Sequence, residues 1–200
     1  MTDPLYKQMT AFLLGQGIEE MEHTGKTYLG HLLAVHRLME EQGCAADACR
    51  AGLFHSIYGT EAFQRFQLPV ARRHEVRDLI GERAERLAYL NCAMDRASFD
   101  AALQRGRPPY PVLDRLTGEE VPLDTEDFDD LCRVHLYDWL EQAPRSRFGY
   151  GYRREAYRAM AERLGPDAIA AYDRVYAGEP VATDRPTAFH DLPIRPQPKA

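Results

Sequence analysis

The stretch from Ala46 to Tyr58, ADACRAGLFHSIY, limits what this chain can become more than any other. Read as a helix it is apolar on nearly every side, because Ala51, Leu53, Phe54 and Ile57 leave no continuous polar face. A helix of that kind has to run through the centre of a domain with amphipathic helices around it. A chain of 200 residues, 44% of them hydrophobic, suits one such domain with a substantial core.

The surrounding segments carry the right periodicity. Leu5, Met9, Phe12 and Leu13 share one face of a first helix that ends near Gly15 and Gly17. Tyr28 to Glu41 forms a second, with Leu29, Leu32, Leu33, Val35, Leu38 and Met39 apolar and Gly43 breaking the chain behind it. Glu75 to Gly81 and Glu82 to Ala97 read as a shorter and a longer helix. The Pro- and Gly-rich stretch from Gly106 to Pro122 reads as a loop. Thr125 is a candidate N-cap for a helix reaching about Gln142. Helices at Arg153 to Leu164 and Pro166 to Tyr176 follow. No alternating strand pattern of useful length occurs. The expectation is an all-α bundle over residues 1–177, with an extended Pro-rich tail over 178–200.

The net charge of −6 speaks against a nucleic-acid partner, and Arg72-Arg73-His74 and Arg153-Arg154 read as solvated helix faces. The N-terminus has Asp3 ahead of its apolar residues and no basic region, unlike a secretory signal, and no segment is apolar enough to cross a membrane. Cys44, Cys49, Cys92 and Cys132 include no C-x-x-C pair and read as reduced thiols, so a cytoplasmic location is expected. A small-molecule substrate is the expected partner, and homodimer formation is left open.

Chemistry concentrates in the histidines. His31 opens the second helix and His55 closes the third, so antiparallel packing would bring both imidazoles to one end. His23 lies one short loop before His31 and within its reach. Three imidazoles with a carboxylate suit a divalent transition metal. The Gly-interleaved run RFGYGYRREAY, Arg147 to Tyr157, is a candidate lid.

Thr24 to Thr60, TGKTYLGHLLAVHRLMEEQGCAADACRAGLFHSIYGT, resembles the opening of the HD-domain superfamily, nearest its alarmone-hydrolase branch. Members there read like S-G-x-P-Y-I-x-H-P-x-x-V and then A-x-L-L-H-D-V-V-E-D-T. Thr24-Gly25, Tyr28-Leu29, His31 and Ala51 to His55 match without a gap. Ser56 stands where that family has its metal-binding aspartate, and Gly59-Thr60 replace the E-D pair, with Glu61 adjacent. The nearest match to the family's last ligand motif, Arg86 to Asn91, puts Tyr89 at the aspartate, with Asp95 further along.

The resemblance implies a helical metal site that has lost carboxylates. A nitrogen-rich site of that kind favours Zn²⁺, Fe²⁺ or Cu²⁺ over Mg²⁺ or Mn²⁺, and alarmone hydrolysis with Mn²⁺ is not expected. His23, His31 and His55 are the expected metal ligands, and Glu61 and Asp95 the acid/base candidates. The leading expectation is a small HD-like metalloenzyme, a hydrolase, acting on a small molecule. A degenerate domain that binds without catalysis and an HD-type iron oxygenase are the alternatives.

Overall fold

The computed structural model describes residues 5–19 and 21–180, and the chain there is mostly helical. The expected tail falls outside the described residues from 181 onward. α1 (Tyr6–Leu14) leads into a small hairpin, β1 (Glu22–His23) and β2 (Lys26–Thr27), followed by α2 (Tyr28–Glu41) and α3 (Ala46–Leu53). A short 3-10 turn precedes α4 (Arg73–Ile80), and α5 (Glu82–Ala93) and α6 (Arg96–Arg105) follow. A second hairpin, β3 (Tyr110–Leu113) and β4 (Glu120–Leu123), joins them to α7 (Thr125–Gln142), α8 (Arg154–Leu164) and α9 (Pro166–Tyr176). α7 is the longest helix and packs against α2, α3, α5 and α8. No helix among the described residues is long and apolar enough to cross a membrane. The four cysteines are free thiols.

The central segment is buried from Ala51 through Thr60, but only its first part is helix. α3 stops at Leu53, and Phe54 to Tyr58 continue as tight turns rather than the expected helix. The cause lies in α5. The carbonyl of His55 accepts hydrogen bonds from Asn91 Nδ2 (2.7 Å) and the Cys92 thiol (3.2 Å), so it is held by another helix instead of by its own ladder. Gly59, at φ 79°, turns the chain out of this region. Where α3 crosses α2, a Cβ on Gly52 would lie 2.4 Å from Met39 Sδ, so the approach of the two helices depends on the missing side chain.

Two further departures from the sequence reading have local causes. The helix expected to run to Ala97 breaks at Met94, which is extended (ψ 136°). Asp95 then caps a separate helix, α6, its Oδ1 accepting the Ser98 N–H at 2.7 Å. The expected loop holds β3 and β4 instead, with Pro111 opposite Pro122. Two prolines and strands of four residues each hide the alternation that puts Tyr110, Val112 and Leu123 in the core.

Candidate metal centre

The three side chains that meet at the site, His31, His55 and Asp138, come from three different parts of the chain. His31 sits in the first turns of α2, where Thr27 caps the helix by accepting the Gly30 N–H at 3.1 Å. His55 lies just past the end of α3. Asp138 projects from α7, and Glu141 follows it three residues later on the same face. The β1–β2 turn, Thr24-Gly25, has positive φ at both positions (45° and 72°), the geometry of a tight hairpin of the primed type. Lys26 and Thr24 from this hairpin both reach α7 or its end: Lys26 Nζ to Glu141 Oε1 at 2.7 Å, and the Thr24 carbonyl to Arg145 Nε at 3.0 Å.

The start of α2, the end of α3 and α7 bring three donor atoms together. His31 Nε2 is 3.3 Å from His55 Nε2 and 3.1 Å from Asp138 Oδ1, and His55 Nε2 is 3.3 Å from the same oxygen. All three residues are buried, and as a group they could hold a metal ion. Nitrogen and oxygen ligands about 2.0–2.1 Å from a tetrahedral ion lie about 3.3 Å from one another. The observed triangle has that spacing.

The outer nitrogens decide what the inner ones are. His55 Nδ1 is 2.7 Å from the Gly52 carbonyl, which can only accept, so Nδ1 carries the proton and Nε2 offers a lone pair. His31 Nδ1–H donates in the same way to Glu141 Oε2 at 2.7 Å. Burial opposes ionisation of Glu141, but the hydrogen bonds from His31, Lys26 and Arg145 outweigh it and hold its carboxyl at about 2. Glu141 is therefore an anion that accepts from His31. With both Nδ1 atoms protonated, two imidazole lone pairs and a carboxylate oxygen face one another. Such a triangle of acceptors needs a cation at its centre, either a proton on His31 Nε2 or a metal ion. Burial disfavours the imidazolium of His31, and the hydrogen bonds to Asp138 and Glu141 more than restore it, raising its pKa. Burial likewise disfavours the Asp138 carboxylate, yet positive charge in the adjoining imidazole pair and the hydrogen bond it donates hold its carboxyl well below the usual range.

The other sequence candidates stand around this triangle. His23 is not one of the three donors. Its ring lies against that of His31, centroids 4.4 Å apart, and edge-on to Phe63. Burial, then the nearby His31 charge, lowers its pKa to about 4, and its buried Nε2 has no hydrogen-bond partner. Glu61 and Asp95 both sit at the start of α6: Glu61 Oε2 accepts the Arg96 backbone N–H at 3.1 Å, and Asp95 is the cap described above. The structure puts neither carboxylate among the three donors. Tyr89, which the motif alignment put at the last ligand, donates to Asp114 Oδ2 instead. Ser56 Oγ pairs with the Tyr28 hydroxyl at 2.9 Å. Asp138 and Glu141 are the residues that the sequence reading missed.

The centre opens on one side into a cleft of about 420 Å³ lined by His23, His55, Ser56, Asp138, Trp139 and Tyr152, among others. Phe148 and Tyr152, from the Gly-interleaved run, form part of its wall. Residues 12–96 match the model of a family described as a domain of unknown function (DUF6817). The matched stretch includes His23, His31 and His55 and ends before Asp138. No curated protein and no solved structure matches the chain.

Proposed function

We propose that this protein is a metal-dependent enzyme, a hydrolase of the HD-like kind, acting on a small molecule in the cleft above His31, His55 and Asp138. The observation that carries the reading is the triangle of three lone-pair donors whose outer partners, the Gly52 carbonyl and Glu141, fix both imidazoles with Nε2 inward. Two imidazoles and one carboxylate are a donor set of catalytic zinc sites, which keep a position open for water or substrate. When bound, a divalent ion supplies a Lewis acid that polarises a substrate oxygen and acidifies water. The chain's own residues do the rest. Glu141, braced by Lys26 and Arg145, keeps His31 in one tautomer and strengthens its basicity. Asp138 supplies the negative charge that two neutral imidazoles lack. His23 lines the cleft with a buried, unpaired Nε2, and Trp139 and Tyr152 form part of the same wall.

The same donors, two histidines and one carboxylate, also make the facial set of non-haem iron oxygenases, and this is the second reading. Protein reconstituted separately with Zn²⁺ and, under anaerobic conditions, Fe²⁺ tests both against a panel of small esters, amides and phosphoesters. Turnover with Zn²⁺ that is lost in His55→Ala is the expected result. Substrate-dependent oxygen uptake by the Fe²⁺ form alone favours the second reading, and no turnover with either metal overturns both.

A further inference from the structure

We infer that the cleft takes a small anion carrying a phosphate or carboxylate group, and that Arg96 is the residue that anchors it. The inference rests on the proposed reading of this cleft as a substrate site and names the class of substrate.

Charge in the cleft is lopsided. Its lining includes Arg65, Arg96, Arg145 and Arg147 and one carboxylate, Asp138, which is turned to the two imidazoles. Arg145 is already matched, its Nη2 donating to both oxygens of Glu141 at 2.8 and 2.9 Å. Arg96 is not. It is half-buried, its Nη1 donates to the Tyr152 hydroxyl at 3.0 Å, and no carboxylate among the described residues pairs with its guanidinium. The nearby acid, Glu61, takes the Arg96 backbone N–H and leaves the side chain alone. Arg147 is exposed, and its guanidinium lies 5.0 Å from the Phe148 ring centre.

A guanidinium has five N–H donors, and this one uses a single donor on a neutral acceptor. Half-buried cations ordinarily find an anion, because removing charge from water is costly unless it is paired. Arg73, Arg83 and Arg163 each have a carboxylate within 3 Å, and Arg115, which has none, donates instead to the Gly59 and Cys92 carbonyls. At Arg96 the counter-ion is left to come from outside. Tyr152 reinforces the site. Its oxygen accepts from Arg96, so its own hydroxyl proton is free to donate into the cleft that it lines. A guanidinium fork with a hydroxyl beside it matches the oxygens of a phosphate or carboxylate. Phe63, Trp139 and Phe148 line the same cleft and would receive an apolar body attached to that group.

Calorimetric titration of the protein with inorganic phosphate and, separately, with benzoate tests this, in the zinc-loaded and the metal-free states. Wild type is expected to bind at least one probe with one site per chain, and the probe that binds names the group. Arg96→Gln should weaken that binding at least about tenfold and Arg96→Lys less, while Arg37→Gln, an exposed arginine paired with Glu41, should leave it unchanged. Tyr152→Phe, which keeps the ring and removes the hydroxyl, should weaken it by about threefold and serves if Arg96→Gln does not fold. Failure of both probes to bind, or affinities in both the Arg96 and Tyr152 variants equal to wild type, overturns the inference. Zinc bound with anion affinity independent of Arg96 leaves the metal centre standing and removes this proposal. Arg96-dependent binding by a protein that takes no zinc does the reverse.

Discussion

Glu141→Gln should loosen the metal centre without touching a donor atom. The Glu141 carboxylate sits among donors only: His31 Nδ1 at 2.7 Å, Lys26 Nζ at 2.7 Å and Arg145 Nη2 at 2.8 and 2.9 Å. Glutamine keeps the length and one accepting oxygen but replaces the other with an NH₂ that no neighbour here can donate to. If the remaining oxygen stays with His31, Lys26 and Arg145 lose their anion. If it turns to them, His31 loses the partner that fixes its tautomer. In either case the imidazole becomes a weaker base. Loss of such an outer partner typically costs about 10–100-fold in metal affinity, or about 1.4–2.7 kcal/mol. Competition for Zn²⁺ against a chromophoric chelator measures the change, and a thermal melt of the metal-free protein shows whether the fold survives. Affinity within about twofold of wild type, in a variant that melts normally, would refute the claim that His31 binds metal through Nε2 with Glu141 behind it.

Other changes separate the site from its scaffold. Ser56→Ala should leave the zinc content unchanged while lowering stability by about 1–3 kcal/mol in chemical denaturation, because the fully buried Tyr28 hydroxyl loses its partner. Loss of zinc in that variant would make Ser56 a ligand. Gly52→Ala should destabilise by about 1–3 kcal/mol, despite alanine's better helix propensity, since the new Cβ meets Met39 Sδ inside the core. A variant as stable as wild type would mean that α3 and α2 do not approach this closely. The Glu141 carboxyl is lowered from 4.5 to about 2, so its contribution is complete above pH 4.5 and lost as pH falls toward 2. Acid titration of metal-free wild type should show this loss, and Glu141→Gln should flatten that part of the curve.

The helical scaffold was readable in the sequence where periodicity and punctuation agree. α2 occupies the stretch that its apolar positions and Gly43 define, and α9 begins at Pro166 as expected. The meeting of His31 and His55 was also readable, because one opens a helix and the other stands near the end expected for the next. What periodicity could not show was the end of α3, which is decided by Asn91 and Cys92 reaching across from α5. The third donor escaped for a related reason. A motif sought in α5 pointed to Tyr89 and Asp95, whereas the chain supplies the carboxylate from α7, far along the sequence. One signal was available. Asp138 interrupts an apolar run, Leu136-Tyr137-Asp138-Trp139-Leu140, on a helix expected to reach about Gln142, whose cap is Asp124 rather than the expected Thr125, and Glu141 follows one turn later. A carboxylate among buried neighbours asks for a partner, and here the partners are two imidazoles.

X-ray absorption at the zinc edge, on protein loaded with one equivalent of Zn²⁺, tests the centre most directly. The account predicts a first shell of nitrogen and oxygen at about 2.0–2.1 Å containing two imidazoles. One imidazole should disappear in His55→Ala, and stoichiometric binding should be lost in Asp138→Ala. A shell containing sulfur, or a spectrum and zinc content that are the same in wild type and both variants, would contradict it.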